Sequence, residues 1–170
     1  MSEAAQQQAP AAEAGGAGDW RVRVAERGDA VAVAGAVREL LVELGGTLPP
    51  ATATRAAVRE LLDSPREGAV LVAESVGVLV GVLAASWQLA IHVPGRYALI
   101  QDLWVDRAWR GRAVGAGLLA ALLELVRAQG CERIEVGLPR PSFAGIAATE
   151  AFYRANGFVA LGPRMRAVLS

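Results

Sequence analysis

The chain has 170 residues, 54% of them hydrophobic, and its 17 basic and 17 acidic side chains cancel. That length fits one domain with a true core, and the balanced charge argues against a bulk nucleic-acid binder, which needs a basic field. Every basic residue is Arg, which excludes Lys Schiff bases and Walker-type phosphate loops, while one cysteine (Cys131) and one histidine (His92) leave no internal disulfide, no metal cluster and no ordinary Ser-His triad.

In chain order, residues 1–18 are mostly Ala, Gln, Gly, Glu and Pro without periodicity and are expected to form a disordered tail before a folded domain over 19–170. The start lacks the basic and apolar regions of a signal peptide. Ala69 to Ile91 is the most apolar run, but Glu74, Gly77, Gly81 and Gln88 divide it into strands and not a membrane span. A soluble cytoplasmic protein is expected. Trp20 to Val24 alternates and predicts a strand. Asp29 is the expected N-cap of a helix over Ala30 to Leu44, with Val37, Leu40, Leu41 and Leu44 on one face and Gly45-Gly46 as its stop. Thr47 to Ala53, with Pro49-Pro50, predicts a loop, and Thr54 to Leu62 a second helix ended by Pro65.

Ala69 to Glu74 predicts a strand, Ser75-Val76-Gly77 a turn, and Val78 to Ile91 a longer strand with Gly81 a candidate bulge. His92 to Gly95 predicts a second turn and Tyr97 to Val105 the returning strand. A helix follows from about Arg112 to Gln129, stopped by Gly130. Ile134 to Leu138 should be a strand parallel to the one before it, because a helix crosses between them. Pro139 to Ala144 reads as a loop, Ala147 to Ala155 as a short helix stopped by Asn156-Gly157, and Phe158 to Leu161 with Met165 to Leu169 as a closing hairpin. The order β α α β β β α β α β β predicts one mixed α/β domain. Its sheet should be mostly antiparallel, with six or seven strands and about four flanking helices.

Tyr97 to Gln129 organises the chain. A strand feeds a turn rich in Arg and Gly, and then a helix with Leu118, Leu122, Leu125 and Val126 on one face. The free N–H groups of such a helix start, aided by its dipole, form a ready anion site. A phosphate-bearing ligand is therefore expected there. The run Val105-x-x-x-x-Arg110-Gly111-Arg112-Ala113-Val114-Gly115-x-x-Leu118-Leu119 resembles the GNAT family of N-acetyltransferases. That family's signature is Arg/Gln-x-x-Gly-x-Gly/Ala, starting five residues after a strand valine and preceding a Leu-Leu pair. A frame from Arg112 to Gly117 also satisfies the bare pattern. Only the Arg110 frame keeps Val105 and Leu118-Leu119 in place, with Ala113 where the first glycine stands. Ala151-Phe152-Tyr153-Arg154-Ala-Asn156-Gly157-Phe158 resembles the family's closing helix, with Ile146 and Thr149 where it usually has Asn and Ala.

The resemblance implies the mixed α/β fold, acetyl-CoA as co-substrate, and acetyl transfer to a primary amine by direct attack, without a covalent enzyme intermediate. Arg110, Gly111, Arg112, Ala113, Val114, Gly115 and Ala116 would meet the pyrophosphate. Leu103, Trp104 and Val105 would line the pantetheine arm, with Leu103 and Val105 acting through main-chain groups. Tyr153 would protonate the departing thiolate, a task suited to a phenol of pKa about 10 beside a thiol of about 8.5. Asp102 is a candidate to hold the amine cation or take its proton, with Gln101 a weaker neighbour. An Asp bonded to backbone at a bulge is the plain alternative. Strict alternation puts Ala98, Ile100, Asp102 and Trp104 on one face. Glu39, Glu43 and Glu60 read as solvated helix faces, His92 as a turn residue and Cys131 as a small buried one. The acceptor, a small-molecule amine or a protein amino group, would meet the loop from Gly45 to Ala53. A homodimer is the default expectation. The competing function is a non-catalytic acyl-CoA sensor or interaction module of the same fold. A dinucleotide enzyme is disfavoured, since no Gly-x-Gly-x-x-Gly follows the first strand.

Overall fold

The computed structural model describes residues 19–162, 164, 165 and 167, less the side chains of Val93 and Pro94. Among these, one sheet runs in chain order through β1 (Arg21–Val24), β2 (Gly68–Ser75), β3 (Val78–Ala90), β4 (Val93–Val105) and β5 (Ile134–Val136). The first four strands are antiparallel neighbours. β5 lies parallel to β4, as a crossover helix requires. The helices are α1 (Ala30–Glu43), α2 (Ala51–Asp63), α3 (Val114–Ala128) and α4 (Ile146–Ala155).

Alternation along the strands makes two apolar layers. On one face Leu71, Ala73, Leu83 and Ala85 meet Leu118, Leu119 and Leu122 of α3, with Tyr153 of α4 in the same cluster. On the other, Val70, Val72 and Val82 meet Ala30, Val33 and Ala34 of α1 and Val58 of α2. Each fully buried leucine contributes about 1.5–3 kcal/mol by leaving water, so α3 is the most firmly anchored helix. Its close approach needs Gly81, where a Cβ would stand 2.9 Å from both Leu118 Cδ1 and Val114 Cγ1.

Two irregularities matter. In β3 the pairing jumps from Ala73 with Gly81 to Glu74 with Leu79, so the extra residue is Val80, beside the glycine expected to bulge. In β4, Ala84 pairs with Asp102 but Ala85 with Ile100, which leaves Gln101 extra. This bulge reverses the phase of the strand. Ala98 and Ile100 face the α3 layer, as do Leu103 and Val105, whereas Trp104 is buried in the α1 and α2 layer. The single-face set Ala98, Ile100, Asp102 and Trp104 is thus corrected: Asp102, paired with Ala84, belongs with Trp104.

Several ends also differ. α2 starts at Ala51, because Pro50 occupies the N-cap position and its carbonyl accepts the Thr54 N–H at 3.1 Å. The Asp29 carboxylate makes no cap on α1. It accepts the Glu26 N–H at 2.7 Å and two bonds from Arg23. β4 extends back to Val93, leaving Ile91-His92 as the turn. β5 stops at Val136, before Gly137 and Pro139. Phe158 to Leu161 forms no strand, nor do Met165 and Ala167; the rest of that hairpin, like the tail over 1–18, lies outside the described residues. The described sheet therefore has five strands where six or seven were expected. No described helix is long and apolar enough to cross a membrane.

Candidate active site

β4 and β5 pair only from Ala98 with Ile134 to Ile100 with Val136. Beyond Ile100 β4 carries its bulge and β5 has ended, so the rest of β4 has no paired strand on that side among the described residues. The Asp106 N–H donates to Val80 O at 3.0 Å. Antiparallel bonding alternates, so Trp104 turns its main chain to β3 while Leu103 and Val105 turn theirs to the open edge. Trp104 is also 6% exposed with its ring in the other core, so neither its main chain nor its side chain lies on that edge. The carbonyl of Val105 is occupied, accepting Arg110 Nε at 2.9 Å.

The turn after β4 is built from backbone. Asp106 Oδ1 caps it by accepting the Ala108 N–H at 2.8 Å. Gly111 takes φ +76°, and Ala113 follows in the left-handed region at φ 60°, ψ 9°. For an alanine that conformation costs about 1–2 kcal/mol. It ends the turn and makes α3 begin at Val114, two residues later than the expected Arg112. No side chain caps this start, and no acidic residue stands in its first turn. The first N–H to reach a helical carbonyl is that of Gly117, at 2.9 Å from Ala113 O. The N–H groups ahead of it, through Ala116, lack helical acceptors, and such a helix start favours an anion. The Arg112 guanidinium lies over the Trp109 ring, 5.0 Å from its centroid, and keeps a cation beside those groups.

Arg110, the first residue of the motif, points elsewhere. Its Nη2 donates to both oxygens of Glu43 at 2.8 and 2.9 Å, and Arg107 Nε reaches Glu43 Oε1 at 3.3 Å. Glu43 is therefore no solvated helix residue, its side chain being 17% exposed. Burial pushes its carboxyl upward, but the hydrogen bonds from Arg110 and Arg107 prevail and hold it below the usual range. Spacing on α1 carries no sign of this contact, because the partner lies 67 residues away. The last turn of α1 meets a third cation: Arg140, in the loop after β5, donates to Leu44 O at 2.9 Å and Gly45 O at 2.6 Å. Cations suit that end of a helix, where carbonyls lack partners.

α4 brings the second motif alongside. A Cβ on Gly115 would touch the Phe152 ring at 3.4 Å and Val105 Cγ2 at 3.7 Å, so the start of α3, the end of β4 and α4 converge there. Tyr153 packs edge-on against Phe152 and Phe158, with ring centroids 5.1 and 5.2 Å away. Burial pushes its phenol up to about 12. Asp102 lies on the opposite sheet face, half-buried, with no charge partner among the described residues; burial raises its carboxyl. Gln101 donates to Ser86 Oγ at 2.8 Å. The structure thus gathers Val105, Gly115 and Phe152 at the start of α3, buries Tyr153 beside Phe152 in the same core, and sets Asp102 on the other face of the sheet.

A mixed sheet whose fourth strand outruns its parallel neighbour and leads into an uncapped helix start is the fold that the family resemblance implied. The chain belongs to the Acetyltransferase (GNAT) family, which matches residues 36–158. It is similar to glucosamine 6-phosphate N-acetyltransferase 1 of Oryza sativa subsp. japonica, 33% identical over 159 residues that cover 89% of this chain and 88% of the rice protein. Among solved structures, a possible acetyltransferase from Clostridium difficile 630 shares the fold with a TM-score of 0.76 at 16% identity, over 90% of this chain and 99% of that one. The structure of AAC(6')-Iy with the bisubstrate analog CoA-S-monomethyl-acetylneamine does so with a TM-score of 0.74 at 18% identity, with the same coverage.

Proposed function

We propose that this GNAT acetyltransferase moves the acetyl group of acetyl-CoA to a primary amine by direct attack. The observation that carries this is the continuity of one stretch: an unpaired strand edge at Leu103 and Val105 leads within ten residues to the uncapped N–H array before Gly117. An extended amide-containing arm suits the first and a pyrophosphate the second. On this reading Gly111 to Ala116 hold the phosphates through backbone N–H groups, and Arg112 adds charge. The outward main chain of Leu103 and Val105 holds the pantetheine, and a free N–H there stabilises the oxyanion of the tetrahedral intermediate.

Tyr153 then gives its proton to the departing sulfur. A phenol at about 12 stays protonated at neutral pH. The apolar surroundings that raise it also raise a thiolate placed beside it, which preserves the small gap between them in water. Asp102 would hold the ammonium or take its proton through water from the other face of β4. The rice relative carries glucosamine 6-phosphate in its name and AAC(6')-Iy is in complex with a bisubstrate analog that includes acetylneamine, so amino sugars lead the list of acceptors.

Thiol release from acetyl-CoA, followed with a panel of amino sugars, amino acids and peptides, tests the proposal. At least one amine should stimulate release, and Tyr153→Phe should lower kcat about 10²–10⁴-fold, the range for a general acid, with little change in the KM for acetyl-CoA. Acetyl-CoA binding without release for any amine would support the non-catalytic module instead.

A further inference from the structure

The signature arginine, Arg110, is committed to α1. One of its nitrogens bridges both Glu43 oxygens at 2.8 and 2.9 Å, and another reaches Val105 O at 2.9 Å. Apart from the Arg112 stack on Trp109, which stays within the turn itself, little else fixes the turn that follows. Arg110, Gly111, Arg112 and Ala113 are all exposed, and a Cβ on Gly111 would meet no atom within 4 Å. Gly111 takes its positive φ without penalty, but Ala113 holds φ 60°, which an unsupported chain does not favour. A loop with so little packing needs side-chain ties to keep its donor array, and the Arg110 guanidinium is the one that fastens it to α1.

We propose that Glu43 is a positioning residue for acetyl-CoA: through Arg110 it holds the backbone N–H array after β4 in its binding shape. The inference rests on the acetyl-CoA function proposed above. It assigns a role in cofactor affinity to an α1 carboxylate outside the signature, and it makes Arg110 a brace and not a phosphate ligand. The same carboxylate lines a cleft of about 400 Å³ with Arg38, Glu39, Val42, Leu48 and Arg107, so the brace joins the cofactor turn to the loop after α1. Preorganised donors bind more tightly because the ordering cost is met before the ligand arrives.

The test is calorimetric titration of the full chain with acetyl-CoA, for wild type, Glu43→Gln, Arg110→Gln and the double variant, with thermal melts of each. Each single change should weaken binding about tenfold, and the double variant should be no weaker than Arg110→Gln alone, since that change already removes the contact with Glu43. Thermal midpoints should move by a few degrees at most, because the pair is surface-exposed on the Arg110 side. Glu43→Gln binding as tightly as wild type would overturn the inference. So would a double variant about a hundredfold weaker, which would mark two independent roles. A wild type without affinity for acetyl-CoA would overturn the proposed function itself, and the role of Glu43 with it.

Discussion

Asp102 shows most plainly the tension between stability and chemistry at the residue scale. Its carboxyl is half-buried without a charge partner among the described residues, and burial raises it above the usual range. A carboxyl raised on folding costs stability once it ionises. The cost is absent below its unfolded pKa of about 3.9, grows as pH rises through the folded value, and is complete above it. Asp102→Asn should therefore raise the thermal midpoint at pH 7 while leaving it nearly unchanged near pH 3. The same variant should lower turnover, and the wild-type rate should fall on acidification at a pH above that of an ordinary aspartate. Melts and rates across pH check both; equal destabilisation at pH 3 and pH 7 would show that Asp102 serves packing alone. Ala113 is a second such site, since its positive φ strains the turn at the point where α3 must begin with free N–H groups.

At the scale of elements, the bulge at Gln101 sets the phase of β4, and the close seat of α3 on β3 sets where the helix start lies. Gly81→Ala puts a methyl 2.9 Å from Leu118 and Val114. Overpacking of this kind costs about 1–3 kcal/mol and should lower the thermal midpoint by roughly 2–4 °C per kcal/mol in a chain of this size. Val114 is the first residue of α3, so the shift reaches the donor array and acetyl-CoA affinity should fall with stability. An unchanged melt would contradict the packing described. The helices and strands themselves were legible from periodicity and from stops at Gly45, Gly130 and Gly157, all with positive φ. The phase of β4 was not. An extra residue in a strand leaves no mark in an alternating pattern until the partner register is known, and so Asp102 changed faces. The closing hairpin was read from apolar residues that the structure leaves exposed, among them Val159, Leu161 and Met165.

For the whole molecule, a net charge of zero conceals a structured distribution. Arginines converge on α1: Arg107 and Arg110 on Glu43, and Arg140 on the carbonyls of Leu44 and Gly45. Near the start of the described chain, Arg23 joins Asp29 and Glu74. The two motifs near Arg110 and Tyr153 were legible because local spacing carries them. The pairing of Arg110 with Glu43 was not, because it joins residues far apart in sequence on elements whose packing only the fold decides. The same fold sets the unpaired edge of β4 against an uncapped α3, and the central claim is that this edge and array take acetyl-CoA. Calorimetric titration of the full chain with acetyl-CoA tests it most directly. Binding should be saturable with one site per chain and weaken as salt rises, because phosphates are being held. No heat and no thermal stabilisation at millimolar acetyl-CoA would contradict it.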